Sequence, residues 1–338
     1  MQHQPDLLDL GMARIELFRT LCLPTFQNQT SKNFLWLIWT DPHLHPTLRK
    51  PLLRLLDGNP RFIVVASLKC FSSTNCESTG GKGFREGIPF NRSQVWSGDY
   101  DLVERYHQRA QSRIVLMSRV DADDGLHIKF AEIMQREALR YMRKSSKAWL
   151  IWCTDVNMDW QYYTPWDGPN ESGCLVQQKS PYCVSAGLTK AHGVEVAYAE
   201  VPSRFKHHEM DSNVPSCREK DITQRCIFPM PLDIAPYALR GRTPTSAGMT
   251  RVILKGETDG TINTTELQSS QGKLESVLQT GFAVNPKELI TLHRRLQNNL
   301  HAITEDALRG QCTGGHSCKT SSRKKLNSIL NATAQTPE

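Results

Sequence analysis

Three aspartates follow a short apolar stretch, and they are the residues of this chain best suited to chemistry. Asp121, Asp123 and Asp124 lie within four positions, three residues after the apolar run 114–117. Clustered carboxylates raise each other's pKa unless a cation or a hydrogen-bond donor compensates. A hard cation such as Mg²⁺ or Mn²⁺ takes oxygen ligands and leaves positions for substrate phosphates. The cluster therefore predicts a metal–diphosphate site.

The apolar run must position these carboxylates. We expect 114–117 to be a strand buried on both faces in a parallel sheet, and a helix to start near Leu126. Ligands of open α/β sheets bind beyond the carboxyl ends of the strands, which is where the aspartates fall. Residues two apart in an extended segment share a side, so Asp121 and Asp123 would face one cation.

Two simpler interpretations of the acidic cluster stay open. Asp123 or Asp124 could cap the helix predicted to start near Leu126. A calcium loop would use Asp121, Asp123 and Glu132 as its first, third and twelfth residues. That loop requires glycine at the sixth position, where Leu126 stands, and a helix in place of the strand before it.

Predicted strands and helices alternate along the first part of the chain. The predicted helices are 5–22, 48–56, 99–110 and about five turns after Gly125. The predicted strands are 34–39, 61–66, 114–117 and 148–153. Pro24 is expected to end the first helix, and 70–98 reads as a long loop. This alternation indicates a mostly parallel, doubly wound α/β sheet.

Composition limits the partners. The chain has 338 residues and a net charge of +7, which suits an anionic substrate such as a nucleotide. It has no dense stripe of Lys and Arg with interleaved aromatic residues, so no nucleic-acid partner is expected. No apolar run reaches about 18 residues, so neither a transmembrane helix nor a signal peptide is expected in this chain.

Cysteines and glycosylation sequons indicate the secretory pathway, with the Golgi lumen as the expected location. The ten cysteines are an even number. Neighbours that could form disulfides are Cys70/Cys76, Cys174/Cys183 and Cys217/Cys226, with connectivity left open. The five sequons begin at Asn28, Asn91, Asn170, Asn263 and Asn331. The alternative is a cytoplasmic protein with free thiols and unused sequons.

Several short motifs follow one another along the chain: 14–18 (RIELF), 22–24 (CLP), 29–30 (QT), 34–36 (FLW) and 119–124 (RVDADD). Together they resemble the rhamnosyltransferase family, which belongs with the GT-A-type glycosyltransferases. Their order and spacing match that family over about 12–150. The resemblance implies a GT-A-like fold and the transfer of a hexosyl group, such as rhamnose, from a nucleotide-diphosphate donor. The acceptor would be a glycan, a protein or a small molecule.

The resemblance also assigns roles to the acidic motif. Asp121 and Asp123 would hold a Mn²⁺ or Mg²⁺ ion that bridges the diphosphate of the nucleotide-sugar donor. Asp124 would support the loop or touch the donor sugar. Arg119 would pair with a phosphate or ribose group, because a guanidinium suits bidentate recognition of anions.

Two further roles would come from later residues. GT-A enzymes often take a late histidine as a metal ligand, and His208, or His207 beside it, is the candidate. An inverting mechanism needs a carboxylate base for the acceptor hydroxyl. Asp155, at the end of a predicted strand, is the first choice, followed by Asp159 and Glu209.

On this interpretation the chain has four regions. These are a nucleotide-sugar-binding half (1–154), a more irregular acceptor side (155–254), a linker with a C-terminal helix (255–308) and a tail expected to be disordered (309–338). GT-A proteins carry a strand before the first helix, whereas this chain starts in that helix. A longer form could supply that strand together with a membrane anchor. The alternatives are an inactive relative that binds a glycan or nucleotide sugar, and a metal-dependent phosphohydrolase.

Overall fold

The computed structural model describes residues 7–67, 84–145, 147–162, 173–194, 225–231, 234–243, 265–267 and 270–313. The helices are α1 (Leu8–Leu17), α2 (Leu23–Gln27), α3 (Pro46–Leu56), α4 (Tyr100–Ala110), α5 (Phe130–Met142), α6 (Gln271–Phe282), α7 (Pro286–Asn298) and α8 (Leu300–Thr313). The strands are β1 (Trp36–Thr40), β2 (Phe62–Ala66), β3 (Val95–Ser97), β4 (Val115–Ser118), β5 (Asp124–Leu126), β6 (Trp149–Gln161), β7 (Cys174–His192), β8 (Ile227–Pro229), β9 (Ala238–Arg242) and β10 (Thr265–Leu267).

These strands form two sheets in a mixed α/β fold. The smaller sheet has the order β1-β2-β3, with β1 parallel to β2 and β3 antiparallel to β2. The larger sheet has the order β10-β7-β6-β9-β5, and β4 and β8 pair with β7 and β6. Its parallel pairs are β6–β8 and β6–β9, whereas β4–β7, β5–β9, β6–β7 and β7–β10 are antiparallel. The alternation of early strands and helices is confirmed, but the expectation of a mostly parallel sheet is wrong for the larger sheet.

The expected buried strand 114–117 corresponds to β4 and differs from the prediction. β4 pairs antiparallel with β7, and its four side chains are half-buried or exposed. Met117 is 37% exposed. A short apolar run reports neither the direction of its partner strand nor how many of its faces are covered, so the prediction of a parallel strand buried on both faces was wrong.

Two predicted helix boundaries are also wrong. The helical path does not end at Pro24, because a π-helical turn (Phe18–Cys22) leads into α2, where Pro24 occupies the first turn and needs no N–H bond. No helix starts near Leu126, because Asp124–Leu126 is the short strand β5, paired with β9. The helix α5 begins at Phe130 instead. Strand pairing with a distant segment has overridden the local helix signal.

The C-terminal region is more helical than the sequence predicts. The region 255–308, predicted as a linker with one C-terminal helix, contains α6, α7 and most of α8. Helix α8 returns to the start of the chain. The buried Asp306 carboxylate accepts the backbone N–H groups of Asp9 (3.0 Å) and Leu10 (3.2 Å). This caps α1, whose first N–H groups have no partner within the helix.

Buried side chains fix α1 and its π-helical continuation between two apolar clusters. One cluster contains Phe18 and Trp36, together with Trp152 of β6. The other contains Leu17 and Leu21 and lies against β6, β9 and α6–α8. The helical segment 8–27 therefore packs against both parts of the fold, which holds it rigidly beside β5.

One of the three disulfides suggested by sequence proximity is contradicted, and the other two are not tested. Cys153 bonds to Cys183 and joins β6 to β7, with their Cα atoms 4.8 Å apart. The suggested Cys174/Cys183 pair is therefore wrong. Cys226 is also disulfide-bonded, whereas Cys22 is a buried thiol. Cys70, Cys76 and Cys217 lie outside the described residues. Within the part of the chain that is described, no helix is long and apolar enough to cross a membrane.

Candidate functional site

The three aspartates lie on a tight turn between β4 and β5. The N–H of Asp124 donates to the carbonyl of Asp121 at 3.0 Å and closes the turn. The residues before the turn are held by β7: the N–H of Arg119 donates to Leu188 (3.1 Å), and the carbonyl of Arg119 accepts from Gly187 (2.8 Å). The acidic turn is therefore anchored by backbone hydrogen bonds.

Two glycines allow other elements to approach this turn closely. A Cβ on Gly125 would lie 2.7 Å from the carbonyl oxygen of Leu21 and 2.7 Å from Cγ2 of Thr25. A Cβ on Gly241 would lie 2.8 Å from the carbonyl oxygen of Asp123. The Gly241 N–H donates to that same carbonyl at 3.2 Å. The π-helical segment and β9 thus clamp the turn from two directions.

Asp121 is the most accessible of the three carboxylates. Its side chain is 47% exposed, and its Oδ1 lies 3.6 Å from Nη2 of Arg119, which is 62% exposed. The hydroxyl of Ser185 donates to its Oδ2 at 3.4 Å. An ion pair this exposed contributes little to stability. Both charged groups can therefore turn towards a ligand at low cost.

Asp123 is half-buried and electrostatically strained. Burial, and then repulsion from Asp121, raise its pKa to about 6. The guanidinium groups of Arg14 and Arg240 act in the opposite direction. Burial lowers the pKa of Arg14, which Asp123 partly restores. A half-buried cation from α1 and another from β9 therefore act electrostatically on the carboxylate.

Asp124 points into the protein. It is buried, and its Oδ1 accepts the N–H of Gly241 at 3.3 Å. Burial raises its pKa well above the ordinary value, as do Asp123, Asp121 and Asp159, against the influence of Arg240. This position is consistent with a role of Asp124 in supporting the turn, because β9 holds its side chain inside the structure.

The two β6 carboxylates proposed as bases have different surroundings. Asp159 is buried, its Oδ2 accepts from Nε of Arg242 at 3.0 Å, and its Oδ1 accepts from Asn157. Asp155 is half-buried, and its buried Oδ1 has no hydrogen-bond partner among the described residues. Asp159 also raises the pKa of Asp124, which links it electrostatically to the acidic turn.

A second polar group lies at the carboxyl ends of the parallel strands β1 and β2. Thr40 is fully buried, and its hydroxyl has no hydrogen-bond partner in the described part of the chain. Its carbonyl accepts the N–H of Ser67 at 3.0 Å. Asp41 is buried beside it, and its Oδ1 accepts the N–H of His43 at 2.8 Å. Such strand ends are the usual ligand position of parallel sheets.

The chain matches one known family over its first part. Residues 5–79 match the family model described as "Putative rhamnosyl transferase". The matched segment contains the motifs 14–18, 22–24, 29–30 and 34–36, and it ends before the acidic turn. No curated protein and no solved structure matches the chain.

Structural contacts link the matched segment to the acidic turn outside it. The thiol of Cys22 lies 4.0 Å from the carbonyl oxygen of Asp121. Its burial raises the pKa of this thiol, and the charges of the three carboxylates raise it further. Arg14 faces Asp123, and the carbonyl of Leu21 lies against Gly125. The motifs 14–18 and 22–24 therefore form one wall of the turn.

The carboxylates fit a divalent cation only together with a substrate. Among the residues that the structure describes, no group of three or more His, Cys, Asp and Glu side chains could hold a metal ion. Asp121 and Asp123 form a pair, and Mg²⁺ is commonly held by one or two carboxylates plus substrate phosphates. Their mutual repulsion is what a cation would relieve. The candidates His207, His208 and Glu209 lie outside the described residues.

Sequence reasoning missed the cations and the polar strand ends of this site. Arg14 and Arg240 face the aspartates from positions more than 100 residues away along the chain. Thr40 and Asp41 directly follow the predicted strand 34–39, and no functional role was predicted for either. For Arg14 the signal was present, because it opens the first motif of the family resemblance. For Arg240 no local pattern marks the residue, since its role depends on the pairing of β9 with β5.

Proposed function

We propose that this protein is a glycosyltransferase with a GT-A-like nucleotide-binding half, which moves a sugar from a nucleotide-diphosphate donor to an acceptor. The observation that carries the proposal is the family match over 5–79. The matched helix packs against the Asp121–Asp124 turn, which supports a single site formed by both features. Rhamnose is the proposed sugar, by the family's description alone.

The donor would span both polar groups. The nucleoside would lie at the carboxyl ends of β1 and β2, where the buried Thr40 hydroxyl and Asp41 offer hydrogen bonds. The diphosphate would lie over Asp121 and Asp123, which would hold a Mg²⁺ or Mn²⁺ ion jointly with it. That ion would supply Lewis-acid stabilisation of the leaving diphosphate. The exposed Arg119 guanidinium would orient a phosphate by bidentate hydrogen bonds.

Asp155 is the proposed base for the acceptor hydroxyl. A general base needs a free lone pair within reach of the proton that it takes. Asp159 is held by Arg242 and Asn157, whereas Oδ1 of Asp155 has no hydrogen-bond partner among the described residues. Asp124 would position the turn and would not take part in proton transfer, because it is buried against β9.

Nucleotide binding tests the proposal directly. We expect UDP or dTDP to bind in calorimetry, with a Kd at least about tenfold lower in the presence of Mn²⁺, since the cation offsets repulsion between diphosphate and carboxylates. Asp41→Asn should weaken binding by about tenfold, the cost of one charge-assisted hydrogen bond. Asp57→Asn, at an exposed position after α3, is the matched control.

The outcomes separate the alternatives. Absence of nucleotide binding with or without Mn²⁺ would overturn the proposal. Binding without sugar transfer to any acceptor tested would favour an inactive nucleotide-sugar-binding relative. Release of phosphate from simple phosphate esters, with no acceptor present, would favour a phosphohydrolase.

The secretory pathway, with the Golgi lumen as the main site, is the proposed location. Disulfides persist in oxidising compartments, and Cys153 and Cys183 form one inside the larger sheet. The sequon asparagines Asn28 and Asn91 are both exposed. We expect the protein from secretory cells to lose mass on treatment with an N-glycosidase, and each of Asn28→Gln and Asn91→Gln to remove one glycan. An unchanged mass after N-glycosidase treatment, together with alkylation of every cysteine without prior reduction, would contradict this location.

A further inference from the structure

Strand β7 bulges away from β6 beside the acidic turn. Trp152 of β6 pairs with Thr189, and Thr154 pairs with Val184. A regular antiparallel ladder would place one residue of β7 between these two pairs, whereas the four residues 185–188 lie there. These four residues are called the β7 bulge below. A single residue of β6 lies opposite them, so the ladder of hydrogen bonds between the two strands is interrupted there.

The β7 bulge holds the start of the acidic turn. The Gly187 N–H donates to the carbonyl of Arg119 at 2.8 Å, and the carbonyl of Leu188 accepts the Arg119 N–H at 3.1 Å. The hydroxyl of Ser185 donates to Oδ2 of Asp121 at 3.4 Å, which is a long hydrogen bond. The proposed ligands of these residues are a phosphate for Arg119 and a cation for Asp121. The position of the bulge therefore decides where both side chains lie.

Gly187 allows the bulge to pack closely on its neighbours. Its φ is +80°, in the left-handed region that favours glycine. A Cβ at this position would lie 2.9 Å from Cγ2 of Thr154, 3.0 Å from Cε2 of Phe130 and 3.2 Å from Cδ2 of Leu126. The bulge thus packs against β6, α5 and β5 together.

Two links from β6 replace the interrupted ladder. The hydroxyl of Thr154, a fully buried residue, donates to the carbonyl of Ala186 at 2.5 Å. The disulfide between Cys153 and Cys183 ties β6 to β7 one residue before the bulge begins. Both of these cysteines are buried. The same part of β6 carries Asp155, the proposed base, so these links join the donor side of the site to its acceptor side.

We propose that Thr154 and the Cys153–Cys183 disulfide are positioning residues for the donor site. They hold the β7 bulge, and the bulge holds Arg119 and Asp121. This positioning role rests on the proposed function. Without the links the bulge would shift along the interrupted ladder, and the two aspartates proposed to share a cation would lose their common geometry. The nucleoside position at the ends of β1 and β2 lies in the other sheet and would be unaffected.

Calorimetry of the variant Cys153→Ala/Cys183→Ala with UDP and dTDP tests the positioning role. In the unchanged protein we expect the Kd to be at least about tenfold lower with Mn²⁺ than without it. In the variant this ratio should fall to less than about twofold, because Asp121 and Asp123 no longer share one cation. The Kd without Mn²⁺ should stay within about twofold of its original value, since the nucleoside would lie on the smaller sheet. A variant that merely lost structure would weaken both affinities together.

Thr154→Val tests the second link and keeps the disulfide, so it carries the same test if the double variant does not fold. It removes one hydrogen bond to the bulge, and the ratio of the two Kd values should fall by about fivefold, the usual worth of such a bond. Thr154→Ser keeps the hydroxyl and should restore the ratio. An unchanged ratio in Thr154→Val and in the folded double variant would overturn the positioning role.

Leu175→Ala is the matched control for a loss of stability. It truncates a buried side chain of β7 that pairs with Trp160, outside the bulge. We expect a lower thermal unfolding temperature, because a cavity is left in the core, and an unchanged ratio of the two Kd values wherever the variant is folded. A fall of the ratio in Leu175→Ala as large as in the double variant would overturn the positioning role, since instability alone would then explain the loss.

Hydrogen exchange of the protein without ligands separates the positioning role from the proposed function. In the disulfide variant the amides of Arg119 and Asp124 should exchange at least about tenfold faster than in the unchanged protein, while amides of α3 keep their rates. Unchanged exchange at both positions would overturn the positioning role alone, and nucleotide binding by the unchanged protein would still support the proposed function. Faster exchange without any nucleotide binding by the unchanged protein would overturn the proposed function and, with it, a role of these links in a donor site.

Discussion

Replacing Asp123 with asparagine is expected to abolish the Mn²⁺-dependent part of nucleotide binding and to lower kcat/KM for sugar transfer by at least about 100-fold. The change removes one of the two carboxylates that would hold the cation, while the side chain keeps its size. The loss should appear in calorimetry as equal affinities with and without Mn²⁺. Continued metal-dependent binding by Asp123→Asn would contradict the assignment of the donor site to this turn.

The stability of the Asp123→Asn variant separates a lost ligand from a lost fold. Burial and Asp121 both disfavour the charged form of Asp123 in the protein without ligands. The neutral variant should therefore unfold at the same denaturant concentration as the unchanged protein or at a higher one. A protein commonly gains stability and loses function when a charge that serves to bind a ligand is removed. Asp57→Asn, which should change neither binding nor stability, controls for the substitution itself.

The elements predicted well from sequence have local signals. The helix predicted over 99–110 corresponds to α4, which Asp99 caps by accepting the N–H of Asp101. Leu48, Leu52 and Leu56 recur at helical spacing and are all buried on α3. Short-range features of this kind need no knowledge of distant segments.

The elements predicted poorly depend on distant partners. The strand β4 pairs with the end of β7, more than 70 residues later, and β5 pairs with β9, more than 100 residues later. The local sequence around Asp124 favours a helix start, and nothing in it reports β9. The burial of Asp124 follows from that pairing, so its place inside the structure could not be read from the motif.

The acidic residues of the site were predicted from their type and spacing, but the residues that surround them were not. Asp121 and Asp123 stand out because clustered carboxylates need compensation. The compensating Arg14 and Arg240 each lie more than 100 residues from the motif, one before it and one after it, and the glycine that admits β9, Gly241, carries no chemistry of its own. Long-range packing is thus what turns a weak acidic motif into an anchored site.

Gly125→Ala is expected to lower the free energy of unfolding by about 1–3 kcal/mol, the usual cost of an added methyl group in a packed region. The new Cβ would lie 2.7 Å from the carbonyl oxygen of Leu21, a backbone atom inside the π-helical segment. It would also press on Thr25, whose hydroxyl accepts the N–H of Leu126 at 3.2 Å and donates to the carbonyl of Cys22. Urea unfolding measured by tryptophan fluorescence gives the change.

The matched control for Gly125→Ala is Gly272→Ala on α6, where an added Cβ would meet no atom within 4 Å. Alanine has the higher helix propensity, so this variant should be more stable by up to about 1 kcal/mol. Opposite signs for the two substitutions would show that the contact with the matched helix, and not the loss of a glycine, holds the acidic turn. Because the same contact positions Asp121 and Asp123, Gly125→Ala should also weaken Mn²⁺-dependent nucleotide binding. Stability of Gly125→Ala within about 0.5 kcal/mol of the unchanged protein would contradict the close packing of helix and turn.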